Sequence, residues 1–394
     1  MADGTSNNGV NESEAGAALP DERVKTERAL PAQAAVTIVG GGIAGLASAW
    51  QLTELGVRDI VLIEAEPELA THASGRNAAI FLPLEESLTA VWLASRSRDL
   101  LDARIGTSWL SAHGVTLCSA RSDALDELKF TARRLGVYHE RWAREEIAQD
   151  VPAMRDGECT EALHLPLGGV IDVRVVIDRL RSWALAAGVH IVTGARVSAV
   201  EVERNRVAGV RLSDARRIQS ERVVLAAGAW GGALGKAAGS ALKLTPYRRH
   251  LVQLGGSNMP GPQSPVAWCI DEPLYFRPEA GGILASPCDE TVHDESEPAV
   301  DERATRDLNA RLERLAPRIT QDAVVTRSWA CLRTMSADRE LAVGADGRVK
   351  GLYWCAGLGG RGMSTGAAAG ELLARTMLGL AHPLARPLGP ERFL

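Results

Sequence analysis

The chain has 394 residues, 46% hydrophobic and 24% charged, an ordinary globular composition with enough length for one large core or two domains. Forty-four basic against 49 acidic residues leave a net charge of −5, which argues against a nucleic-acid partner. The six cysteines (118, 159, 269, 288, 331 and 355) lie far apart without a C-x-x-C pair, so neither a disulfide framework nor a structural zinc site is indicated, and a reducing cytoplasm is expected.

Residues 1–34 are rich in Asn, Ser, Glu, Ala and Gly and lack an apolar segment behind a basic start. They read as a disordered tail and not as a secretory signal. From Ala34 to Trp50 the chain is apolar but carries four glycines, which suits strand–turn–helix better than a membrane span; no other run is long and apolar enough to cross a bilayer. Val36-Thr37-Ile38-Val39 predicts a short buried strand, and an alanine-rich helix follows the glycines. Gly40 permits the tight turn, Gly42 lets backbone approach a pyrophosphate, and Gly45 lets helix and strand pack closely. The helix N-terminus adds unpaired N–H groups and partial positive charge for a diphosphate. A second strand, Asp59–Ile63, ends in Glu64, about twenty residues past the glycines, where a ribose hydroxyl needs an acceptor. Strand, turn, helix and acid together predict dinucleotide binding without deciding between FAD and NAD.

Beyond this, Ser74 predicts the cap of a helix opening at Gly75, with Arg76 adding positive charge. Helices are expected over Ser87–Ile105 and Ser122–Leu135, a strand around Val115–Leu117, and a helix over Val173–Ala187 capped by Asp172. Val189–Val192 reads as a strand, and Arg196–Val202 with Arg206–Leu212 as an antiparallel meander. A buried strand follows at Arg222–Leu225, running into the small residues Ala226–Ala229. Residues 286–303 are acidic and loop-like, and a charged helix is expected over Asp301–Leu315. A second strand–glycine turn–helix then begins at Gly351 and continues through Gly366 to about Leu378. It does not repeat the first, because its glycine spacing differs.

In this order, Gly40–Gly45, Glu64, Ser74-Gly75-Arg76-Asn77-Ala78-Ala79, Ala227-Gly228-Ala229-Trp230 and the Gly357–Gly366 turn resemble a known family. It is that of the FAD-dependent amine and D-amino-acid oxidoreductases, the group of D-amino-acid oxidase, glycine oxidase and sarcosine oxidase. The likeness runs from Val36 to the C-terminus and is greatest to the bacterial D-arginine dehydrogenase branch. It implies FAD. A nicotinamide enzyme needs no second glycine turn, whereas a helix N-terminus at Gly360–Thr365 would set N–H groups against the flavin pyrimidine edge, where negative charge collects on reduction.

The resemblance further implies an α/β architecture: a Rossmann-like, three-layer FAD domain (35–83, 165–241 and 325–394) with an inserted α+β substrate domain (84–164 and 242–324) on an antiparallel or mixed sheet. Gly40, Gly42, Ile43, Ala44 and Gly45 would hold the pyrophosphate, and Glu64 with Ala65 the adenosine ribose. Ala73, Ser74, Gly75, Arg76, Asn77, Ala78, Ala79 and Ile80 would wrap diphosphate and flavin, while Val197 would touch the adenine. Ala227, Gly228 and Trp230 would border the cofactor. Gly359, Gly360, Arg361, Gly362, Met363, Ser364 and Thr365, with Arg333, would meet the flavin.

For the substrate, the resemblance implies a carboxylate gripped by Arg333, Arg249 and Tyr275, since a guanidinium gives a planar bidentate clamp. It implies a D-amino acid giving up hydride to flavin N5, an imine hydrolysing to a 2-oxo acid and ammonia, and oxygen or a quinone as final acceptor, with no metal involved. The chain departs from the D-arginine branch in three places. Val115 stands where that branch has an acid for the distal cation, Ile80-Phe81 where it has His–Tyr, and Glu85 where it has a tyrosine. Preference for arginine therefore does not follow, and Glu85 or Glu86 is a candidate contact for a substrate amine. Cys331 precedes Thr334 in the Cys-x-x-Thr setting that carries covalent flavin in sarcosine-oxidase-like relatives; a small buried residue with non-covalent FAD is the plainer expectation. Two rivals stay open: a secondary-amine oxidase for sarcosine-like or cyclic imino acids, and a non-catalytic flavin-binding protein.

Overall fold

The computed structural model describes residues 30–394 except 122. The expected tail thus lies outside the described residues as far as 29, and its last part, Gln33–Ala34, is a strand pairing in parallel with Gln219–Ser220.

The core sheet has six strands in the order His190–Val192, Ile60–Ile63, Val36–Val39, Val223–Leu225, Leu352–Ala356, Ala342–Ala345. All neighbours are parallel except the last pair. The three strands Val36–Val39, Ile60–Ile63 and Val223–Leu225 are buried along their whole length, which explains their continuous apolar runs. Two alanine-rich helices, Ile43–Glu54 and Gly362–Met377, pack so closely that a Cβ on Gly370 would sit 2.5 Å from the Ala47 carbonyl. The predicted meander is present as Val197–Glu203 and Arg206–Leu212, extended by a third strand, Arg217–Ser220.

A second, nine-stranded mixed sheet takes the substrate-side segments. Its only parallel pair is Val115–Ser119 with Val266–Cys269; the other pairs are antiparallel. Helix Glu302–Leu315 seals one core there through Leu308, Leu312 and Leu315. The longest pairing joins Leu244–Gly255 to Val324–Ser336, with Arg249 opposite Cys331 and Tyr247 opposite Arg333. Because side chains alternate along a strand, Arg249, Leu251, Cys331 and Arg333 share one face.

Two segments sit differently from expectation. The boundary placed at 325 falls inside strand Val324–Ser336, which has no glycine or proline to break it. Helix Leu88–Ile105, assigned to the substrate domain, buries Leu93, Ala94 and Leu101 in the core that holds Leu46 and Leu372; its Ser97 Oγ accepts from Ala368 N at 3.0 Å. Among the described residues, no helix is long and apolar enough to cross a membrane.

Candidate active site

One cavity of about 440 Å³ is lined both by Gly42, Glu64 and Val197 and by Gly360, Arg333, Arg249 and Tyr275. The two glycine turns, more than 300 residues apart in sequence, therefore face the same space.

At the first turn, Gly40 has φ +109°, a conformation that suits glycine. Gly45 lies against it: a Cβ there would come within 1.9 Å of Gly40 O. Gly42 is the N-cap of helix Ile43–Glu54 in extended conformation. Glu64 accepts from Gly41 N at 2.6 Å and from Glu66 N at 2.8 Å, so it fixes the turn while each oxygen keeps a further lone pair. Ser74 does not cap a helix at Gly75, since 71–77 is a run of turns. Its Oγ accepts instead from Ile43 N at 3.0 Å, capping the helix of the first turn across 31 residues. The rest of that segment is pinned by Asn77 Nδ2 donating to Ser74 O at 2.7 Å and Ala79 N to Asn77 Oδ1 at 2.6 Å. From the other sheet, Arg277 Nε donates to Ala78 O at 2.6 Å and Trp329 Nε1 to Arg76 O at 3.0 Å. Arg76 itself pairs with Glu297.

At the second turn, Arg361 is the N-cap of helix Gly362–Met377, so the first-turn N–H groups include those of the cavity-lining Gly362 and Met363. Ser364 Oγ donates to Ile80 O at 3.2 Å, tying this turn to the segment after Ser74. Gly360 has φ +90°, and a Cβ there would lie 2.6 Å from Arg333 Nε, so the guanidinium lies across the turn.

Arg333 has no hydrogen-bond or ion-pair partner among the described residues. Arg249 is buried and donates through Nη2 to Glu290 Oε1 at 3.0 Å, while its Nε is unpartnered. Burial first, then repulsion from Arg333, pulls the Arg249 pKa below its ordinary value. Tyr275 is buried with its ring 4.9 Å from that of Trp268, and burial pushes its phenol pKa up. Glu85 takes Arg361 Nε on Oε2 at 2.8 Å, yet burial lifts its pKa to about 7 against the pull of Arg361.

That shift fixes a sign. A carboxyl whose folded pKa is raised binds more protons folded than unfolded between pH 4.5 and 7, so it costs stability progressively as pH rises through that window. Glu85→Gln should therefore gain stability over the parent protein on going from pH 5 to pH 8, by on the order of 2 kcal/mol, read by denaturant unfolding at both pH values. An advantage that shrinks with rising pH contradicts the assignment.

Of the residues singled out from sequence, Gly45, Gly75, Phe81, Glu86, Val115 and Thr365 do not line the cavity, and Glu86 is exposed. Gly45 serves the turn from behind, and Thr365 is fully buried, its Oγ1 donating to Arg361 O at 3.0 Å. Cys331 lines the cavity from a buried position where desolvation raises its thiol pKa. Val115 is a fully buried strand residue in the second lobe's core. Sequence reasoning missed Leu82, Trp268, Glu290 and Arg339, which line the cavity, and His72, whose ring lies 4.5 Å from that of Trp230. Only Glu290 had a signal, the acidic stretch 286–303, and that stretch named no residue.

The residues present fit FAD. Gly42 leaves open a place where a Cβ would crowd Ser74 Oγ at 2.9 Å, a carboxylate stands at the ribose end, and a helix N-terminus with an unpartnered guanidinium stands at the other. Fold and cavity together define a flavin-dinucleotide oxidoreductase. The chain belongs to the DAO family of FAD-dependent oxidoreductases, whose family model matches residues 35–376. It is 27% identical to the mouse mitochondrial pyruvate dehydrogenase phosphatase regulatory subunit, over 89% of this chain and 42% of that protein. Human mitochondrial sarcosine dehydrogenase is also 27% identical, over 66% of this chain and 30% of that one. The chain thus spans less than half the length of these relatives. In fold it superposes on L-proline dehydrogenase from P. horikoshii with TM-score 0.83 and 20% identity, covering 92% of this chain and 98% of that one.

Proposed function

We propose that this chain oxidises the C–N bond of an amino acid or related amine, with the substrate carboxylate held by Arg333. The observation that carries this reading is a guanidinium without a partner among the described residues, on the wall of the cavity and across the second glycine turn. A partly buried, unpaired cation of that kind calls for a carboxylate, and its planar fork fixes the orientation of the carbon beside it. Arg249 and Tyr275 flank the clamp, and Glu85 is the candidate contact for the substrate amine. Leu82 and Trp268 add apolar wall to the same cavity.

Gly40, Gly42, Ile43, Ala44 and Ser74 would hold the pyrophosphate, Glu64 the ribose, Val197 the adenine, and Gly360, Gly362, Met363 and Ser364 the flavin edge. Bound FAD would supply the acceptor for the electron pair that leaves the carbon as hydride. The imine product hydrolyses to a 2-oxo acid and ammonia, with oxygen or a quinone as final acceptor. A D-amino acid is the substrate class this reading favours. Arginine is not, because Val115 is core where an acid would be needed. FAD is read as non-covalent, so acid precipitation should leave the yellow colour in the supernatant. The six free cysteines suit a reducing compartment such as the cytoplasm.

A secondary amine is the second reading, supported by the likeness to sarcosine dehydrogenase. The likeness to a regulatory subunit supports a non-catalytic one. FAD-loaded protein mixed anaerobically with D-amino acids, L-amino acids, sarcosine and proline separates the three. Bleaching of the flavin absorbance by a D-amino acid is the expected result. Bleaching by sarcosine or proline alone favours the secondary-amine reading, and a spectrum that no amine bleaches refutes the enzyme.

A further inference from the structure

Four guanidiniums line the substrate end of the cavity, those of Arg249, Arg333, Arg339 and Arg361, and two carboxylates face them, those of Glu85 and Glu290. Glu85 is committed to Arg361 at 2.8 Å. Glu290 divides itself: Oε1 takes Arg249 Nη2 at 3.0 Å and Oε2 takes Arg339 Nη2 at 2.6 Å. Arg339 is 52% exposed and shares its charge with water, whereas the Arg249 side chain is 4% exposed and depends on Glu290 alone. This pairing leaves one guanidinium unmatched, that of Arg333.

We propose that Glu290 is a specificity-determining residue: an internal carboxylate that occupies Arg249 and so restricts the site to substrates bearing a single carboxylate, the one bound by Arg333. The inference rests on the assignment of Arg333 as the carboxylate clamp. A second substrate carboxylate would have to displace Glu290 or lie beside it as an unpaired like charge in a partly desolvated wall. Displacement is opposed by the segment that carries Glu290. Next to it, Asp289 accepts from His250 N at 2.9 Å and contacts His250 Nδ1 at 2.7 Å, and further along Asp301 pairs with Arg248 at 3.1 Å. On the other side of Glu290, Thr291 pairs with Arg248 in the second sheet, so the backbone is held on both sides of it. Without its charge, buried Arg249 becomes a second unmatched cation beside the partly buried Arg333, a pair of sites that suits a dicarboxylate.

The test uses FAD-loaded protein titrated with acetate and with malonate, each Kd read from the perturbation of the flavin visible spectrum. The parent protein should bind acetate at least tenfold more tightly than malonate. Glu290→Gln should tighten malonate at least tenfold and change acetate less than threefold. Glu290→Asp keeps the charge and should keep the parent's selectivity, which covers the case in which the amide variant loads no flavin. Malonate binding as tight as acetate in the parent, no change in malonate on Glu290→Gln, or a loss of selectivity in Glu290→Asp overturns the proposal. Acetate titrated into Arg333→Ala separates this from the underlying reading. Binding as tight as in the parent protein removes the clamp itself, whereas lost acetate binding with unchanged malonate selectivity in Glu290→Gln removes only the role of Glu290.

Discussion

Arg333→Ala is expected to lower kcat/KM for the best amino-acid substrate by about 10²–10³-fold, because truncating one partner of a desolvated, hydrogen-bonded charge pair costs roughly 2–5 kcal/mol. No neighbour takes over. Arg249 is already committed to Glu290, and Arg361 to Glu85. Arg333→Lys separates charge from geometry, since a lysine supplies a point charge without the fork. It should recover part of the loss in KM and little of the loss in kcat, because the orientation of the reacting carbon depends on the bidentate contact. Steady-state kinetics on the three proteins checks this, and an Arg333→Ala variant with unchanged kcat/KM removes the clamp.

The second large effect is on cofactor retention. In Gly45→Val the new Cβ would fall within 1.9 Å of Gly40 O, and that atom belongs to backbone that has nowhere to go, with Gly40 itself wedged against Ala226. Helix and strand must separate, which overpacking data place at about 1–3 kcal/mol or more. The first-turn N–H groups then move off the pyrophosphate position. The variant should purify colourless, with a lowered melting temperature and far less than one FAD per chain by absorbance. Full flavin content in Gly45→Val contradicts the role given to the first turn.

The parts of this site that were legible in the sequence are those whose requirements are local. Gly40, Gly42 and Gly45 are spaced by the needs of one turn, and Glu64 closes a strand whose apolar run is visible on its own. Asp172 predicts its helix because a cap and its N–H partner, Val175, lie three residues apart. Ser74 looked like another such cap, but its partner Ile43 N is 31 residues away, and no local pattern records that distance. The same reason hid Arg277 and Trp329, which anchor Ala78 and Arg76 from the other sheet across 199 and 253 residues. Glu290 and Arg339 lie outside regular elements, where no periodicity marks a side chain as facing inward. The boundary placed at 325 falls within a regular element. One strand runs from exposed Val324 to buried Ser336 and serves both the second sheet and the cavity wall, so composition does not change where the role does.

A crystal structure of the FAD-loaded protein tests most directly whether a single FAD spans both turns. The predicted result is one dinucleotide per chain, its adenosine against Glu64 and Val197, its diphosphate at Gly42 and Ser74, and its isoalloxazine between Gly360 and Arg333. FAD bound outside this cavity, or held with its isoalloxazine at Glu64, would contradict it.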